Sequence, residues 1–532
     1  MYRPQSPRPA TGSSLLRKGP PFLRGILSLS ALMTLAGLVS IEIFATTPAA
    51  WGQGTRRRAE PRNGVRPFQE QHQKLAGEFL KDLGDLHRRC LDEAAREEAA
   101  EIEQLIENLQ TPPAGIDSLP AEIQPPISSD LPQDEHDRRT ALLNLRKRYA
   151  AELFTLAAKC KRVGYLSLAY DLIREAAIHN SDHPHVRKLL GYVRHDDQWA
   201  TPVAQSLLKQ KKVWHASFGW IPKDHVDRYE KGDRNVDGQW MSAAKEGEIR
   251  RDFRKAWEIR TDHYLIKTNH SLERGVELGL ALEEFYRYFM QAFNGFFNAG
   301  EDFPARSTEF RPYVVHYYRT RDEYNDALKA KIPQIAITNG LYYTSDRIAY
   351  FFDDPNANGI ATLYHEASHQ LFYESQKKDR AIADSAHFWI IEGIACYLES
   401  FRAEEGGHIS IGDPNFERFR AARIRLLQNG YYVPLSRFSD MGMKAFQADA
   451  NITMNYSQAS GLAHFFMNYD RGAYRDALIE HLRDLYNGSR RVGHRTLEEL
   501  TGVDYGTLDR QYREYLTEME QAAGDKAAAI RE

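Results

Sequence analysis

The sequence of 532 residues predicts an α+β protein whose amino-terminal half is mainly helical. Apolar residues recur at helical spacing before residue 195, whereas short apolar runs typical of strands appear after residue 260. A helix pattern that contains two histidines follows those runs. The hydrophobic content of 42% is sufficient for real cores, and a chain of this length predicts two or three domains.

Residues 1–50 are predicted to be an export signal. Five basic side chains and no acid occur in the first 24 residues, and the uncharged apolar run Gly25–Ile41 follows them. The small residues Thr46–Ala50 provide a cleavage site. An uncleaved membrane anchor is the alternative, because the apolar run is slightly longer than a usual signal core. Either reading predicts a periplasmic, cell-envelope or extracellular protein.

Charge and cysteine content exclude two classes of protein. The net charge is -3, and residues 1–50 contribute five bases and one acid, so the remainder carries -7. Such a chain gives no electrostatic support for nucleic-acid binding. The three cysteines, Cys90, Cys160 and Cys396, do not form a disulfide-rich scaffold, although a Cys90–Cys160 bridge is left open.

The region before residue 261 divides into three segments. Residues 51–135 predict a helical hairpin followed by a linker, since 111–133 contains six prolines. Residues 136–197 show recurring helical patterns that favour tetratricopeptide-like pairs, and an ordinary helical domain is the alternative. Residues 198–260 are rich in Trp, Lys and Gly and predict a connector with short strand and turn pieces.

Residues 261–532 are predicted to form the catalytic domain. His263–Thr268 and Tyr313–Tyr318 have the pattern of strands, and a long helix is predicted from about Leu272 to Phe297. A hairpin is predicted within 340–352, immediately before the histidine-containing helix. The chain after that site is predicted to be helical to its end.

The segment HEASH, residues 365–369, is typical of a zinc hydrolase. His365 and His369 are four residues apart, so on a helix both imidazoles project from one face and can reach one ion. Zinc lowers the pKa of a bound water to about 7, and Glu366 is positioned to accept the proton of that water. Catalytic zinc usually has three protein ligands, so the sequence must supply one more.

Glu392 is the predicted third ligand. Twenty-two residues separate it from His369, which is enough for the first helix to end and a second to return. Glu399 follows seven residues later, two helical turns away and on the same face as Glu392. It is predicted to accept a hydrogen bond from the free ring nitrogen of a ligand histidine. Cys396, four residues after Glu392, could compete as a ligand. It is interpreted instead as a small buried residue beside this helix, because Glu392 already matches the open catalytic pattern.

HEASH together with WIIEGIACYLES, residues 389–400, resembles the gluzincin zinc peptidases of the peptidase MA-like superfamily. The resemblance implies a gluzincin-like domain with a small mixed sheet, zinc ligands His365, His369 and Glu392, the general base Glu366, and Glu399 as a supporting acid. Residues 262–520 also resemble uncharacterised bacterial members of that superfamily. The loop 375–385 is longer than in the aminopeptidase branch of the family.

The segment around Tyr456 resembles the helix that bears a tyrosine after the metal site in related peptidases. Its phenol would donate a hydrogen bond to the developing oxyanion, and Tyr431 and Tyr432 are rivals for this role. His464 is interpreted as a core histidine. In the gluzincin pattern, the strand before the metal helix edges the cleft and pairs with an extended substrate; a buried sheet strand is the alternative.

These observations predict a secreted or envelope zinc-dependent metallopeptidase that acts on a peptide or protein substrate. They predict no nucleic-acid partner and no membrane contact except through residues 1–50. A non-enzymatic envelope scaffold with helical repeats and an idle zinc fold is the alternative. Glu366 argues against that alternative, because a structural zinc does not require a base and is normally closed by a fourth protein ligand.

Overall fold

A five-stranded sheet follows one group of helices and precedes another, so the chain is a mixed α+β protein, as predicted. The structure is a computed structural model that describes residues 64–110, 119–297, 311–353, 359–375, 382–403, 409–487 and 495–529. The predicted signal or anchor, residues 1–50, lies outside the described residues. Among the helices in these ranges, none is long and apolar enough to cross a membrane.

The amino-terminal region consists of five helices that share a hydrophobic core. Gly164 ends the third helix in the left-handed conformation, with φ of 92°, so the fourth can begin two residues later and pack against it. Cys90 and Cys160 are both buried in this core as free thiols. The tetratricopeptide-like pairing stays a prediction. The helices are α1 (Arg66–Asp92), α2 (Arg96–Gln110), α3 (Gln133–Val163), α4 (Leu166–His179) and α5 (Pro184–Leu189).

Three antiparallel hairpins alternate with short helices in the next segment. Their second strands carry Trp199, Trp220 and Trp240, which are 21 and 20 residues apart. The elements are β1 (Val193–His195), β2 (Gln198–Ala200), α6 (Pro202–Lys209), β3 (Lys212–His215), β4 (Gly219–Pro222), α7 (Val226–Glu230), β5 (Asp233–Val236), β6 (Gln239–Ser242) and α8 (Ala243–Arg250). The sequence predicted strand and turn pieces here, whereas the structure orders them into three successive helix–hairpin units.

The strands of the central sheet run β10–β11–β9–β8–β7. The inner pairs β8–β9 and β9–β11 are parallel, and the outer pairs β7–β8 and β10–β11 are antiparallel. The predicted strands and the hairpin before the histidine-containing helix are therefore confirmed. The elements are β7 (Trp257–Arg260), β8 (Tyr264–Thr268), α9 (Leu272–Ala292), α10 (Asn294–Phe297), β9 (Tyr313–Tyr318), α11 (Arg321–Leu328), β10 (Leu341–Tyr343) and β11 (Ile348–Phe352).

The carboxy-terminal helices share the main core with one face of this sheet. The elements are α12 (Gly359–Glu374), α13 (Phe388–Leu398), β12 (Arg402–Ala403), β13 (Ile409–Ser410), α14 (Glu417–Arg423), α15 (Leu435–Ser439), α16 (Met443–Ala448), α17 (Ile452–Gly472), α18 (Arg475–Asn487), α19 (Leu497–Thr501) and α20 (Tyr505–Ala529). Helix α13 packs against both α12 and α17.

The prediction of an uninterrupted helical region after α13 is wrong at one point. Strands β12 and β13 form a small antiparallel pair directly after α13. Gly412 follows the pair with φ of 73°, and its N–H donates to the Ser400 hydroxyl at 2.9 Å. A left-handed glycine turns the chain at low cost, so the segment returns toward α13 before α14 begins.

Candidate metal centre

Helices α12 and α13 bring the three predicted metal ligands together. His365 and His369 lie one turn apart on α12, and Glu392 lies on α13. The two histidine Nε2 atoms are 3.2 Å apart. Glu392 Oε2 is 3.6 Å from His365 Nε2, and Glu392 Oε1 is 4.0 Å from His369 Nε2. These residues form the front trio, and their ligand atoms all lie within 4.8 Å of one another.

The front trio fits a tetrahedral ion with one position left open. Four bonds of about 2.1 Å at tetrahedral angles separate neighbouring ligand atoms by about 3.4 Å. The observed separations of 3.2, 3.6 and 4.0 Å lie on both sides of this value. Glu392 Oε2 is buried without a hydrogen-bond partner among the described residues. A cation between the three side chains would satisfy that oxygen, so these residues could hold a metal ion.

The electrostatics of the front trio also favour a cation. Burial lowers the pKa of His369 to about 4, so its ring is neutral and offers a lone pair. Burial opposes a charge on His365 too, but the Cys396 thiol and the carboxylates of Glu392 and Glu399 beside it raise its pKa well above the ordinary value. Burial likewise opposes the Glu392 carboxylate, yet the neighbouring imidazoles of His365 and His369 lower its pKa. Positive charge is therefore stabilised between these side chains.

Glu366 lies beside the front trio and is not one of its donors. Its Oε2 accepts a hydrogen bond of 2.8 Å from the backbone N–H of Tyr342, the middle residue of edge strand β10. Burial raises the pKa of Glu366, and the nearby charge of His365 and the Tyr342 N–H offset only part of this rise. A carboxylate with a raised pKa can accept a proton and return it near neutral pH.

Behind His365, Glu399 occupies the C-cap position of α13. Its Oε1 is 2.8 Å from His365 Nδ1, which places Glu399 where the sequence predicted a supporting acid. Arg418 of α14 donates to both Glu399 oxygens, at 2.6 and 2.7 Å. Burial acts to raise the pKa of Glu399, but the charge of Arg418 and the hydrogen bond from His365 lower it.

Tyr456 lies on α17 beside Glu392. Burial and the neighbouring Glu392 carboxylate raise the pKa of Tyr456 well above its ordinary value. The phenol therefore keeps its proton and remains a donor. Gly393 allows this proximity, because a Cβ at that position would lie 2.5 Å from the backbone oxygen of Ala459 on α17. The absence of a side chain lets α13 and α17 approach closely.

The hydroxyls of the two rival tyrosines donate hydrogen bonds to residues other than Glu392. The Tyr431 hydroxyl donates to Asn455 Oδ1 at 2.6 Å, and the Tyr432 hydroxyl donates to Asp509 Oδ1 at 2.5 Å. His464 has the surroundings of the predicted core histidine. Its Nε2 is 2.9 Å from the Gly412 carbonyl oxygen, and its Nδ1 is 2.8 Å from the Tyr515 hydroxyl.

Two partners in the site were missed by sequence reasoning. Arg418 follows Glu399 by nineteen residues and lies in a separate helix, so no helical or strand period connects the two. The Tyr342 N–H is a backbone group, and a backbone group carries no residue signature. The last strand before α12 is β11, which lies inside the sheet and is mostly buried, so the predicted cleft-edge strand is wrong and the buried-strand alternative holds. The edge is formed by β10, the first strand of the predicted hairpin.

Residues 359–487 are similar to a family described as "Protein of unknown function (DUF1570)". This range begins with α12 and ends with α18, so it contains the front trio, Glu366, Glu399 and Arg418. No curated protein matches the chain.

Proposed function

We propose that this protein is a zinc-dependent metallopeptidase that hydrolyses peptide bonds in a peptide or protein substrate. One observation carries the proposal: the buried carboxylate of Glu366 lies next to a trio of possible metal ligands without being one of them. A structural metal site has no use for such a base, and it is normally closed by four protein ligands. The gluzincin resemblance of residues 365–400 supports the same conclusion and a gluzincin-like arrangement of the domain.

The ligand chemistry supports zinc as the metal. Two imidazoles and one carboxylate are a known ligand set of catalytic zinc in peptidases. In this set His365, His369 and Glu392 would hold the ion. Bound there, zinc would supply a Lewis acid that polarises the scissile carbonyl and makes a water more acidic. The remaining catalytic work belongs to side chains of this chain.

Glu366 would act as the general base and then as the general acid. Its raised pKa suits a carboxylate that takes a proton from the attacking water and gives it to the leaving amine. The Tyr342 N–H holds one Glu366 oxygen at 2.8 Å, which fixes the carboxylate against the edge strand. Tyr456, kept protonated by burial, would donate a hydrogen bond to the oxyanion as the carbonyl becomes tetrahedral.

Strand β10 would form one wall of the substrate cleft. It pairs with β11 on one side and is the last strand of the sheet on the other. An extended peptide could add to this edge through main-chain hydrogen bonds, which give affinity with little sequence specificity. Because the Tyr342 N–H is already donated to Glu366, such pairing would use the other backbone groups of the edge. The enzyme would act outside the cytoplasm, after export directed by residues 1–50.

The test compares two glutamate-to-glutamine variants. Glu366→Gln keeps the front trio intact, so it should retain about one zinc per chain while peptide turnover falls by roughly 10² to 10⁴-fold. Glu392→Gln removes a charged ligand and should weaken zinc binding as well as turnover. Zinc content and cleavage of a broad peptide library are measured on the same preparations.

Equal turnover by Glu366→Gln and the parent would overturn the proposal and favour the scaffold alternative. The matched control is Glu374→Gln, the same chemical change at the far end of the same helix. Glu374 hydrogen-bonds Gln370 and lies outside the front trio. This control should keep both zinc and turnover.

A further inference from the structure

His365 belongs to two overlapping groups of possible metal ligands. The front trio faces its Nε2 atom. A rear trio consists of His365, Cys396 and Glu399, whose ligand atoms also lie within 4.8 Å of one another. All three residues of the rear trio are buried, and Glu399 faces His365 Nδ1. The same helix α13 thus presents Glu392 to one group and Cys396 and Glu399 to the other.

The rear trio would be a competent metal site if its donors were free. A thiolate is a strong ligand for zinc, and the combination of Cys, His and carboxylate is chemically acceptable to it. A metal drawn to Nδ1 would reorient the His365 ring away from His369 and Glu392. The Glu366 base would then have no metal beside it. Something in the fold must therefore favour the front trio.

Arg418 is placed to do this. Its Nε–H group donates a hydrogen bond to Glu399 Oε2 at 2.6 Å, and its Nη2–H group donates one to Glu399 Oε1 at 2.7 Å. This bidentate geometry is the strongest and most directional form of an arginine–carboxylate pair. The Glu399 side chain is 5% exposed and that of Arg418 is 18% exposed, so water screens the pair only weakly. Both carboxylate oxygens are occupied, and a cationic group lies against the rear trio.

We propose that Arg418 is a positioning residue that selects the front trio as the metal site. By occupying Glu399, it denies the rear trio a free carboxylate and repels a second cation there. By fixing Glu399, it also holds the His365 ring so that Nδ1–H donates to Glu399 and Nε2 is directed at Glu392. This inference rests on the proposed metal centre and adds the residue that determines which of two ligand groups is used.

The test uses Co²⁺ as the probe on the purified, metal-free full chain. A cobalt–thiolate bond gives a near-ultraviolet charge-transfer band that imidazole and carboxylate ligands do not give. The parent should bind Co²⁺ without this band. Arg418→Met should show the band and bind Co²⁺ about 10 to 100-fold more weakly at the front trio, the usual effect of losing an outer partner of a ligand. The double variant Arg418→Met with Cys396→Ala should lose the band.

Two further variants separate positioning from folding. Arg418→Lys keeps the charge but not the bidentate geometry, so it should bind Co²⁺ with intermediate affinity, and it carries the test if Arg418→Met does not fold. Arg420→Met removes an exposed arginine two residues along the same helix and should match the parent in spectrum and affinity. Thermal unfolding of each variant checks that the fold is kept.

The outcomes distinguish the two proposals. If the parent binds Co²⁺ and cleaves peptides but Arg418→Met and Arg418→Lys match it, the inference about Arg418 fails while the proposed function stands. A thiolate band in the parent would also overturn the inference, because the rear trio would then be the preferred site. Lower affinity in Arg418→Met without the band would overturn the selection between trios. Absence of any Co²⁺ binding by the parent would remove the proposed function itself.

Discussion

At the scale of single residues, Tyr456 has the clearest separable role. It lies beside the Glu392 carboxylate, and its ring packs edge-to-face against Phe446 with centroids 5.3 Å apart. Removing only the hydroxyl leaves the ring contact unchanged. The residue can therefore be tested for donation of a hydrogen bond without disturbing the helix that carries it.

Tyr456→Phe should keep metal content and thermal stability close to the parent while the turnover number falls by about 10² to 10³-fold, the usual effect of losing an oxyanion donor. Tyr431→Phe is the matched control, because its hydroxyl donates to Asn455 rather than to the site. Steady-state peptide cleavage by both variants is the measurement. A Tyr431→Phe loss equal to that of Tyr456→Phe would argue against the assignment.

The residues of the front trio were predictable, and the outer partner of Glu399 was not. His365 and His369 follow from helical spacing within five residues, and Glu392 and Glu399 follow from the spacing of a second helix. Arg418 reaches Glu399 because α14 packs against α17, which also packs against α13, and a small strand pair that the sequence did not predict separates α14 from α13 along the chain. Local periodicity contains no information about such packing.

At the scale of elements, the approach of α13 to α17 determines the geometry of the site. Gly393 follows Glu392 directly and faces the backbone of Ala459, so any side chain there must push the two helices apart. The same helix pair carries Glu392, a proposed metal ligand, and Tyr456, the proposed oxyanion donor. A small displacement therefore changes stability and metal binding together.

Gly393→Ala should destabilise the protein by about 1 to 3 kcal/mol, because the added methyl group overpacks a backbone contact. It should also weaken metal affinity. Gly84→Ala provides the opposite control: Gly84 lies within α1, has no atom within 4 Å of the point that a methyl group would occupy, and the substitution should stabilise its helix by about 0.5 to 1 kcal/mol. Denaturant unfolding and metal titration of the two variants test the contrast. A Gly393→Ala protein as stable as the parent would contradict the close contact.

The three helix–hairpin units could have been recognised from the regular spacing of their tryptophans. Trp199 and Trp240 each lie over an arginine twelve residues earlier, Arg187 and Arg228, at 5.4 and 3.7 Å from the ring centroid. The regular spacing of the tryptophans was visible, but each strand has only three or four residues. Strands this short do not establish an alternation of polar and apolar residues, so only pieces were predicted.

At the scale of the whole molecule, the helical amino-terminal region is bonded to the domain that carries the site. The Ser167 hydroxyl of α4 donates to Asp476 of α18 at 2.7 Å. Gln291 of α9 donates to Asp171 of α4 at 2.8 Å. These bonds join segments more than a hundred residues apart in sequence, and no pattern within one segment could have predicted them. They indicate that the stabilities of the two regions change together when the pH or the denaturant concentration changes.

Stability of the whole chain should fall in mild acid. Burial lowers the pKa values of His179, His316 and His464 to about 4, against an ordinary value of 6.5. Between these pKa values the unfolded chain binds protons at the three histidines and the folded chain does not. The free energy of unfolding therefore decreases as the pH falls from about 6.5 toward 4. Each histidine contributes up to roughly 3 kcal/mol at the lower limit. His72 and His365, whose pKa values are raised by their neighbours against the effect of burial, work in the opposite direction.

The measurement is the urea midpoint of the metal-free protein at several pH values between 7 and 5. The histidines lie in the amino-terminal core, on β9 and on α17, so loss should be seen by probes in each region. A midpoint that is constant or rises on acidification would mean that these rings are not held neutral in the folded chain.

The unequal burial of the front trio has a kinetic consequence. The His369 side chain is 17% exposed, whereas those of His365 and Glu392 are each 3% exposed. An ion held by these three side chains could enter or leave only past His369. Residence time and affinity would then be governed by different parts of the molecule: the ligands would set how tightly the ion binds, and the groups around that opening would set how fast it exchanges with solution or with a chelator.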